Sequence, residues 1–233
     1  MEQFARKYGP WAIVTGATSG TGYHFARLLA ERGIRLFLVA RGEDALRTTK
    51  ASIQDRYGVE VKTLAADLSS PESVSAISRA TEDMEIGLLI NNAGYSMTGE
   101  FLQGEWEDQS RLLETIFRTP LALTHLFGRK MAERGRGGII LVSSSVAYTP
   151  TPLWSVYSAG KAALLTFGEA LSQELKRCGV DVLTVCPGAM RTGFQARSGI
   201  RAVGAMEPEK VAKAALRSLG SRTVIMPGWT NRI

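Results

Sequence analysis

Tyr157 and Lys161 stand four residues apart in a segment of helical periodicity, so their side chains share one helix face. An ammonium beside a phenol favours the phenolate. That pulls the tyrosine below its usual pKa of ~10 and makes it an acid or base usable near neutrality. A pair at this spacing arises often by chance, and its setting carries more weight. Ser144 lies thirteen residues before Tyr157, at the carboxyl end of the strand-like run Ile139 to Ser143. A hydroxyl there can steady a substrate oxygen. The chemistry implied is proton transfer at a carbonyl or an alcohol.

A second constellation lies near the start of the chain. The apolar run Trp11 to Thr15 passes straight into Gly16-Ala17-Thr18-Ser19-Gly20-Thr21-Gly22, and an amphipathic helix begins at once. Glycines let a backbone turn tightly against a pyrophosphate, whose charge is favoured by the free N–H groups and dipole at a helix start. The spacing G-x-x-x-G-x-G differs from the commonest dinucleotide fingerprint, and three glycines alone also suit an ordinary strand-to-helix turn. At the end of the second strand, where an acid would select NAD, the chain reads Val39-Ala40-Arg41. Arg41 can take a 2′-phosphate by charge-assisted hydrogen bonds and lie against an adenine, which favours NADP(H) over NAD(H). Thr18 and Ser19 add hydroxyls. Asp67, after the third strand, is a candidate acceptor for the adenine amino group, although Asp67 before Ser69-Ser70-Pro71 also makes a good helix-start turn. Asn91-Asn92-Ala93-Gly94 follows the fourth strand directly, and such small polar residues can hold a sheet edge and let a cofactor pass close.

These motifs need a frame. Strands are predicted at Trp11 to Thr15, Ile34 to Ala40, Glu60 to Leu64, Gly87 to Ile90, Gly138 to Ser143, Val180 to Cys186 and Thr223 to Met226. Helices are predicted at Gly20 to Arg32, Gly42 to Tyr57, Pro71 to Ala80, Glu105 to Glu133, Ser155 to Arg177 and Pro208 to Leu219. This alternation predicts a Rossmann-like α/β fold, a doubly wound parallel sheet of about seven strands with helices on both faces. Runs such as Ile139-Ile140-Leu141-Val142 are apolar throughout, as strands covered on both faces are. Ligands of such sheets sit beyond the carboxyl ends of the strands, where the motifs fall. The 233 residues suit a single domain spanning 1–233.

Composition narrows the classes. Hydrophobic residues make 45% and charged residues 21%, values that favour neither disorder nor a membrane protein. Residues 1–11 hold charges and an early turn instead of a secretory pattern, and no run approaches a membrane span, so a cytoplasmic location is expected. The +6 net charge raises nucleic acid as a partner, but the basic residues are interspersed with acids and no aromatic-basic motif appears. Cys178, Cys186, His24 and His125 show no metal-ligand spacing, so no metal is expected.

Taken together, the sequence resembles the short-chain dehydrogenase/reductase family. The matches are Thr15 to Gly22, Asp67, Asn91 to Gly94, Ser144, Tyr157-Ser158-Ala159-Gly160-Lys161, and Pro187-Gly188 with Thr192, in the family's order over nearly the whole chain. The resemblance implies an oxidoreductase that moves a hydride between NADP(H) and a carbonyl or secondary alcohol. It implies Tyr157 as the proton donor or acceptor, Lys161 on the nicotinamide ribose and lowering the tyrosine pKa, and Ser144 orienting the carbonyl. It also implies a cofactor lined by Asn91, Ala93, Gly94, Pro187, Gly188 and Thr192, and a homodimer or homotetramer. One position departs: where the family carries a catalytic asparagine, this chain has Ile116, which offers neither donor nor acceptor. A shift by one would bring in polar Thr115, but Phe117 to Pro120 align better with Ile116 in the slot. Slowed turnover with cofactor binding retained is therefore expected, and a non-catalytic NADP(H)-binding regulator or scaffold is the rival reading. Ser96, Met97, Val146, Ala147, Tyr148, Trp154, Ala189, Met190 and Phe194 are expected around the reacting carbon, with Gln195 to Met206 as a lid. Most are apolar, which favours a hydrophobic substrate.

Overall fold

The computed structural model describes residues 2–190 and 205–228. Seven strands form one sheet: β1 (Trp11–Thr15), β2 (Arg35–Ala40), β3 (Val61–Ala65), β4 (Ile86–Asn91), β5 (Gly137–Val142), β6 (Val180–Val185) and β7 (Val224–Ile225). Their order is β3-β2-β1-β4-β5-β6-β7. Every pairing is parallel. The expected Rossmann-like α/β fold is present, and strand order reverses between β1 and β4, where such sheets open a crevice.

Alternation along each strand builds two cores. Ala12 and Val14 of β1, with Ile140 and Val142 of β5, face a layer that includes Phe25 and Leu29 of α2 (Gly20–Ala30) and Val211 and Leu216 of α8 (Pro208–Ser218). Trp11 and Ile13, with Ile139 and Leu141, face the opposite layer, including Leu123 and Phe127 of α6 (Thr119–Arg134) and Leu164 of α7 (Ser155–Lys176). A period of two with both faces covered is why these strands read as continuous apolar runs. The remaining helices are α1 (Glu2–Tyr8), α3 (Glu43–Tyr57), α4 (Glu72–Ala80) and α5 (Trp106–Leu113). Among the described residues no helix is long and apolar enough to cross a membrane.

Two features depart from the sequence expectation. Helix α1 was not foreseen; its Tyr8 hydroxyl donates to Asp181 Oδ2 at 2.5 Å, fastening it to β6. The single helix expected over Glu105 to Glu133 is instead α5, a π-helical turn at Glu114–Arg118, and α6. Pro120 explains the break. It has no N–H to offer the Ile116 carbonyl four residues back, and the ladder loosens: Thr119 N–H donates to the Glu114 carbonyl, five back.

Candidate active site

The glycine turn is shaped by what touches it. Gly16 adopts φ +66°, and a Cβ there would lie 2.9 Å from Ala93 Cα. A Cβ on Gly22 would fall 2.1 Å from the Gly16 carbonyl oxygen and 2.6 Å from Asn92 Nδ2. The Thr15 hydroxyl accepts from the N–H groups of Asn92 (2.9 Å) and Ala93 (3.0 Å), and Asn92 Nδ2 donates to the Thr15 carbonyl at 2.9 Å. The ends of β1 and β4 are thus knotted into the floor of a crevice. Ser19 precedes α2 in extended conformation, and its hydroxyl makes no cap to the helix.

A cavity of about 520 Å³ runs from this turn to the middle of the sheet. At one end it is lined by Gly16, Thr18 to Thr21, Arg41 and Asp67; Asn92 to Gly94 lie midway; at the other end stand Ser144, Tyr157, Lys161, Pro187 and Gly188. Its size suits a dinucleotide, and Gly16 and Gly22 let the turn pack more closely on Ala93 and Asn92 than any Cβ would allow.

At the reacting end, α7 brings Tyr157 and Lys161 one turn apart, and both are buried. Lys161 Nζ donates to the Val142 carbonyl at 2.7 Å and lies 5.8 Å from the centre of the Tyr157 ring. The Ser143 hydroxyl donates to the Lys161 carbonyl at 2.7 Å. Tyr157 lines the crevice together with Ser144, and its ring meets that of Trp154 edge-on at 5.7 Å. Burial pushes the phenol up to about 12, with the Ser144 hydroxyl opposing. Burial also drives Lys161 down to about 8, with Cys186 opposing. The expected lowering of the tyrosine is therefore not found: desolvation penalises both charged forms and outweighs the neighbouring ammonium, which is turned to a backbone carbonyl.

Several expected residues sit differently from their sequence reading. Asn91 is buried and donates to Thr124 Oγ1 (3.1 Å) and the Pro120 carbonyl (3.4 Å), tying β4 to α6; Asn92 lines the crevice. The strand continues one residue beyond its predicted end, and the lining position moves with it. Gly22 supports the turn from beneath. The Asp67 carboxylate accepts from Ser69 N–H (3.0 Å), Ser69 Oγ (2.8 Å) and Arg111 Nη2 (3.1 Å). These contacts, the Ser69 backbone bond foremost, hold it below the usual carboxylate range. Arg111, 44 residues further on, gave no local signal. Ile116 packs with Leu112 and Tyr157. A Cβ on Gly160 would lie 2.7 Å from its Cδ1, and one on Gly94 would lie 3.5 Å from its Cγ2 and 3.6 Å from Lys161 Nζ. An apolar side chain thus stands beside the lysine, while Thr115 lines the crevice and its hydroxyl donates to the Arg111 carbonyl. Ser96, Val146, Trp154 and Ala189 line the crevice as expected, whereas Met190, expected around the reacting carbon, accepts from the Thr21 hydroxyl through its sulfur at 3.3 Å and so lies at the glycine turn. Met97 lines a neighbouring chamber. Thr192, Phe194 and all of the expected lid except its last two residues lie outside the described residues.

Comparison with known proteins agrees with this geometry. The family profile described as short chain dehydrogenase matches residues 10–201. The 7beta-hydroxysteroid dehydrogenase of Collinsella aerofaciens is 30% identical over 235 residues, covering 97% of this chain and 89% of that protein. The very-long-chain 3-oxoacyl-CoA reductase of Laccaria bicolor is 34% identical over 186 residues, covering 78% of this chain but 55% of the fungal protein. A solved short-chain dehydrogenase from Sphingobium yanoikuyae in complex with NADPH superposes with a TM-score of 0.88 at 35% identity, covering 94% of this chain and 88% of that one.

Proposed function

The chain belongs to the short-chain dehydrogenase/reductase family, and from that premise we propose that it moves a hydride between NADP(H) and a carbonyl or secondary alcohol on a hydrophobic substrate, with Tyr157 as acid/base. The observation that carries this reading is the convergence of Ser144, Tyr157 and Lys161 on one end of a crevice whose other end is the glycine turn. The NADPH held by the Sphingobium enzyme and the steroid and acyl substrates named for the other two relatives support it.

Each residue then has a task. The turn from Gly16 to Gly22 and the free N–H groups opening α2 hold the pyrophosphate. Arg41, with Thr18 and Ser19, takes the 2′-phosphate. Lys161 anchors the nicotinamide ribose, beside Asn92, Ala93, Gly94, Pro187 and Gly188. The bound nicotinamide supplies or accepts the hydride. Ser144 donates to the substrate oxygen, and the Tyr157 hydroxyl passes its proton to that oxygen during reduction or recovers one during oxidation. Burial keeps Tyr157 protonated at neutral pH, which suits the donor role in reduction. The apolar walls at Val146, Trp154 and Ala189 suit a hydrophobic substrate. A homodimer or homotetramer in the cytoplasm completes the proposal. A scaffold that merely binds NADP(H) has no use for Ser144, Tyr157 and Lys161 gathered on one cavity, which favours the enzyme.

Titration with NADPH and NADH by protein fluorescence, followed by a panel of ketones and alcohols, tests the reading. NADPH binding at least tenfold tighter than NADH, together with turnover of an apolar ketone, is expected. Tight NADPH binding without turnover across the panel overturns the catalytic part, and failure to bind either nucleotide overturns the whole.

A further inference from the structure

Met190 is the one methionine among the described residues that lines the crevice. Its sulfur accepts from the Thr21 hydroxyl at 3.3 Å. Thr21 is buried in the first turn of α2, within the stretch that offers its N–H groups to an anion. A thioether is a weak acceptor, so a hydroxyl directed at one exchanges it readily for a better partner.

The surroundings keep Met190 in place. It pairs with Met206 in a parallel bridge, Met206 N–H donates to the Ala189 carbonyl at 2.9 Å, and both methionines pack on the core layer that α2 and α8 share. Further along the same two helices, Arg27 holds Glu209 at 2.7 Å. The side chain therefore has little freedom to withdraw from Thr21. Met190 is also half-buried, and the crevice it lines admits molecules far larger than hydrogen peroxide. Met131, by contrast, is sealed in the core.

Resting on the reading of the crevice as an NADP(H) site, we propose that Met190 is an oxidation site through which hydrogen peroxide closes the pyrophosphate end of the crevice. The thioether sulfur attacks one peroxide oxygen: an S–O bond forms, the O–O bond breaks, and the sulfur gives up two electrons. The other oxygen leaves as hydroxide and takes the proton of the transferred hydroxyl, so that a sulfoxide and a water remain. The sulfoxide oxygen is a far better acceptor than the sulfur was. It takes the Thr21 hydroxyl and sets the negative end of its dipole at the helix start, where the pyrophosphate oxygens belong. A hydroxyl that gives up a thioether for an incoming phosphate does not give up a sulfoxide as easily.

The test treats the protein with hydrogen peroxide, follows the Met190 sulfoxide by peptide mass spectrometry, and measures the NADPH dissociation constant by calorimetry before and after. Met190 is expected to oxidise faster than Met131, and more slowly once NADP⁺ is bound. Its oxidation should weaken NADPH binding by roughly tenfold. Methionine sulfoxide reductases should restore the affinity, which irreversible damage elsewhere would not allow. In Met190→Leu the dissociation constant should be the same before and after peroxide, whereas Met206→Leu should lose affinity as the parent does. Thr21→Val removes the hydroxyl that holds the sulfoxide, so its loss on oxidation should be smaller than the parent's. An oxidised Met190 with NADPH affinity unchanged overturns the proposal, as does a loss as large in Met190→Leu or Thr21→Val as in the parent. Oxidation at the same rate with and without NADP⁺ overturns it too, by placing the sulfur outside the cofactor's path. Untreated protein that binds no NADPH overturns the cofactor reading itself, and the proposal falls with it.

Discussion

The two ends of the crevice are built from different materials. The adenosine end is mostly backbone: two glycines with no room for a Cβ, a helix start, and the N–H groups of Asn92 and Ala93 tied to β1 through the Thr15 hydroxyl. The reacting end is mostly buried side chains: a phenol, an ammonium and hydroxyls, each wedged by an apolar neighbour. Backbone sites fail when a side chain intrudes, and side-chain sites fail when one functional atom is removed. The fold tolerates the second kind of loss far better, because the packing around the missing atom survives.

Tyr157→Phe should therefore break one end and leave the other untouched. The ring keeps its contacts with Trp154 and Ile116, while the proton donor is gone. Turnover is expected to fall by roughly 10²–10⁴-fold, with the NADPH dissociation constant unchanged within a factor of about three. Comparable losses in both quantities would erase the distinction between the ends.

Gly22→Ala is the opposite cut. Its new Cβ would press on the Gly16 carbonyl at 2.1 Å, so the turn must shift by backbone movement. NADPH affinity should drop by about tenfold or more, and thermal stability by roughly 1–3 kcal/mol, while any residual turnover at saturating cofactor stays near the parent value.

Lys161 shows what buried function costs the fold. With its ammonium driven to about 8 from 10.5, the unfolded chain binds more protons than the folded one between those values, so stability rises as pH climbs through that window. Lys161→Met removes the cost. At pH 7 the variant should be more stable, on the order of 1–3 kcal/mol after the lost bond to Val142 is counted, and the gain should vanish near pH 10.5. Parallel melting curves from pH 6 to 10.5 would decide it; a variant less stable at pH 7 would show that the hydrogen bond outweighs desolvation. Activity should be lost in either case.

How much of this was legible in the sequence follows the same division. The strands, their order of appearance and the glycine turn came through because they rest on local periodicity and on residues with no side chain to misplace. The spacing of Tyr157, Lys161 and Ser144 came through because a helix and a strand end fix it. Two features depended on contacts between distant segments and were misread or missed: the inward turn of Asn91 toward Thr124 and the reach of Arg111 to Asp67. The π-helical turn has a local cause in Pro120, whose missing N–H was not weighed against the helical periodicity around it. The raised phenol was misread for a related reason, since sequence shows which charges are neighbours but not how much water each has lost.

Ile116→Asn sharpens the contrast from within the reacting end. The isoleucine fills a tight gap against Gly160 beside Lys161, so an amide there exchanges packing for a polar group next to a buried cation. A stability loss of roughly 1–3 kcal/mol is expected from the smaller, desolvated side chain. A severalfold rise in turnover at saturating cofactor is expected with it, because the amide can order water beside the lysine. Lower stability with no gain in rate would mean that proton delivery does not pass this position.

The smallest expected effect lies at the adenosine end, where Arg111 meets Asp67. Both partners are largely solvated, with side chains 58% and 41% exposed, so the pair itself is worth less than about 1 kcal/mol. Asp67 is held first by the Ser69 backbone, a contact that survives the loss of the arginine. Arg111→Ala should accordingly leave the melting temperature nearly unchanged and raise the NADPH dissociation constant less than about threefold, an effect that shrinks as salt is added. A loss of tenfold or more, insensitive to salt, would show that a side chain from α5 anchors the adenosine end. The backbone would then no longer suffice to account for that half of the crevice.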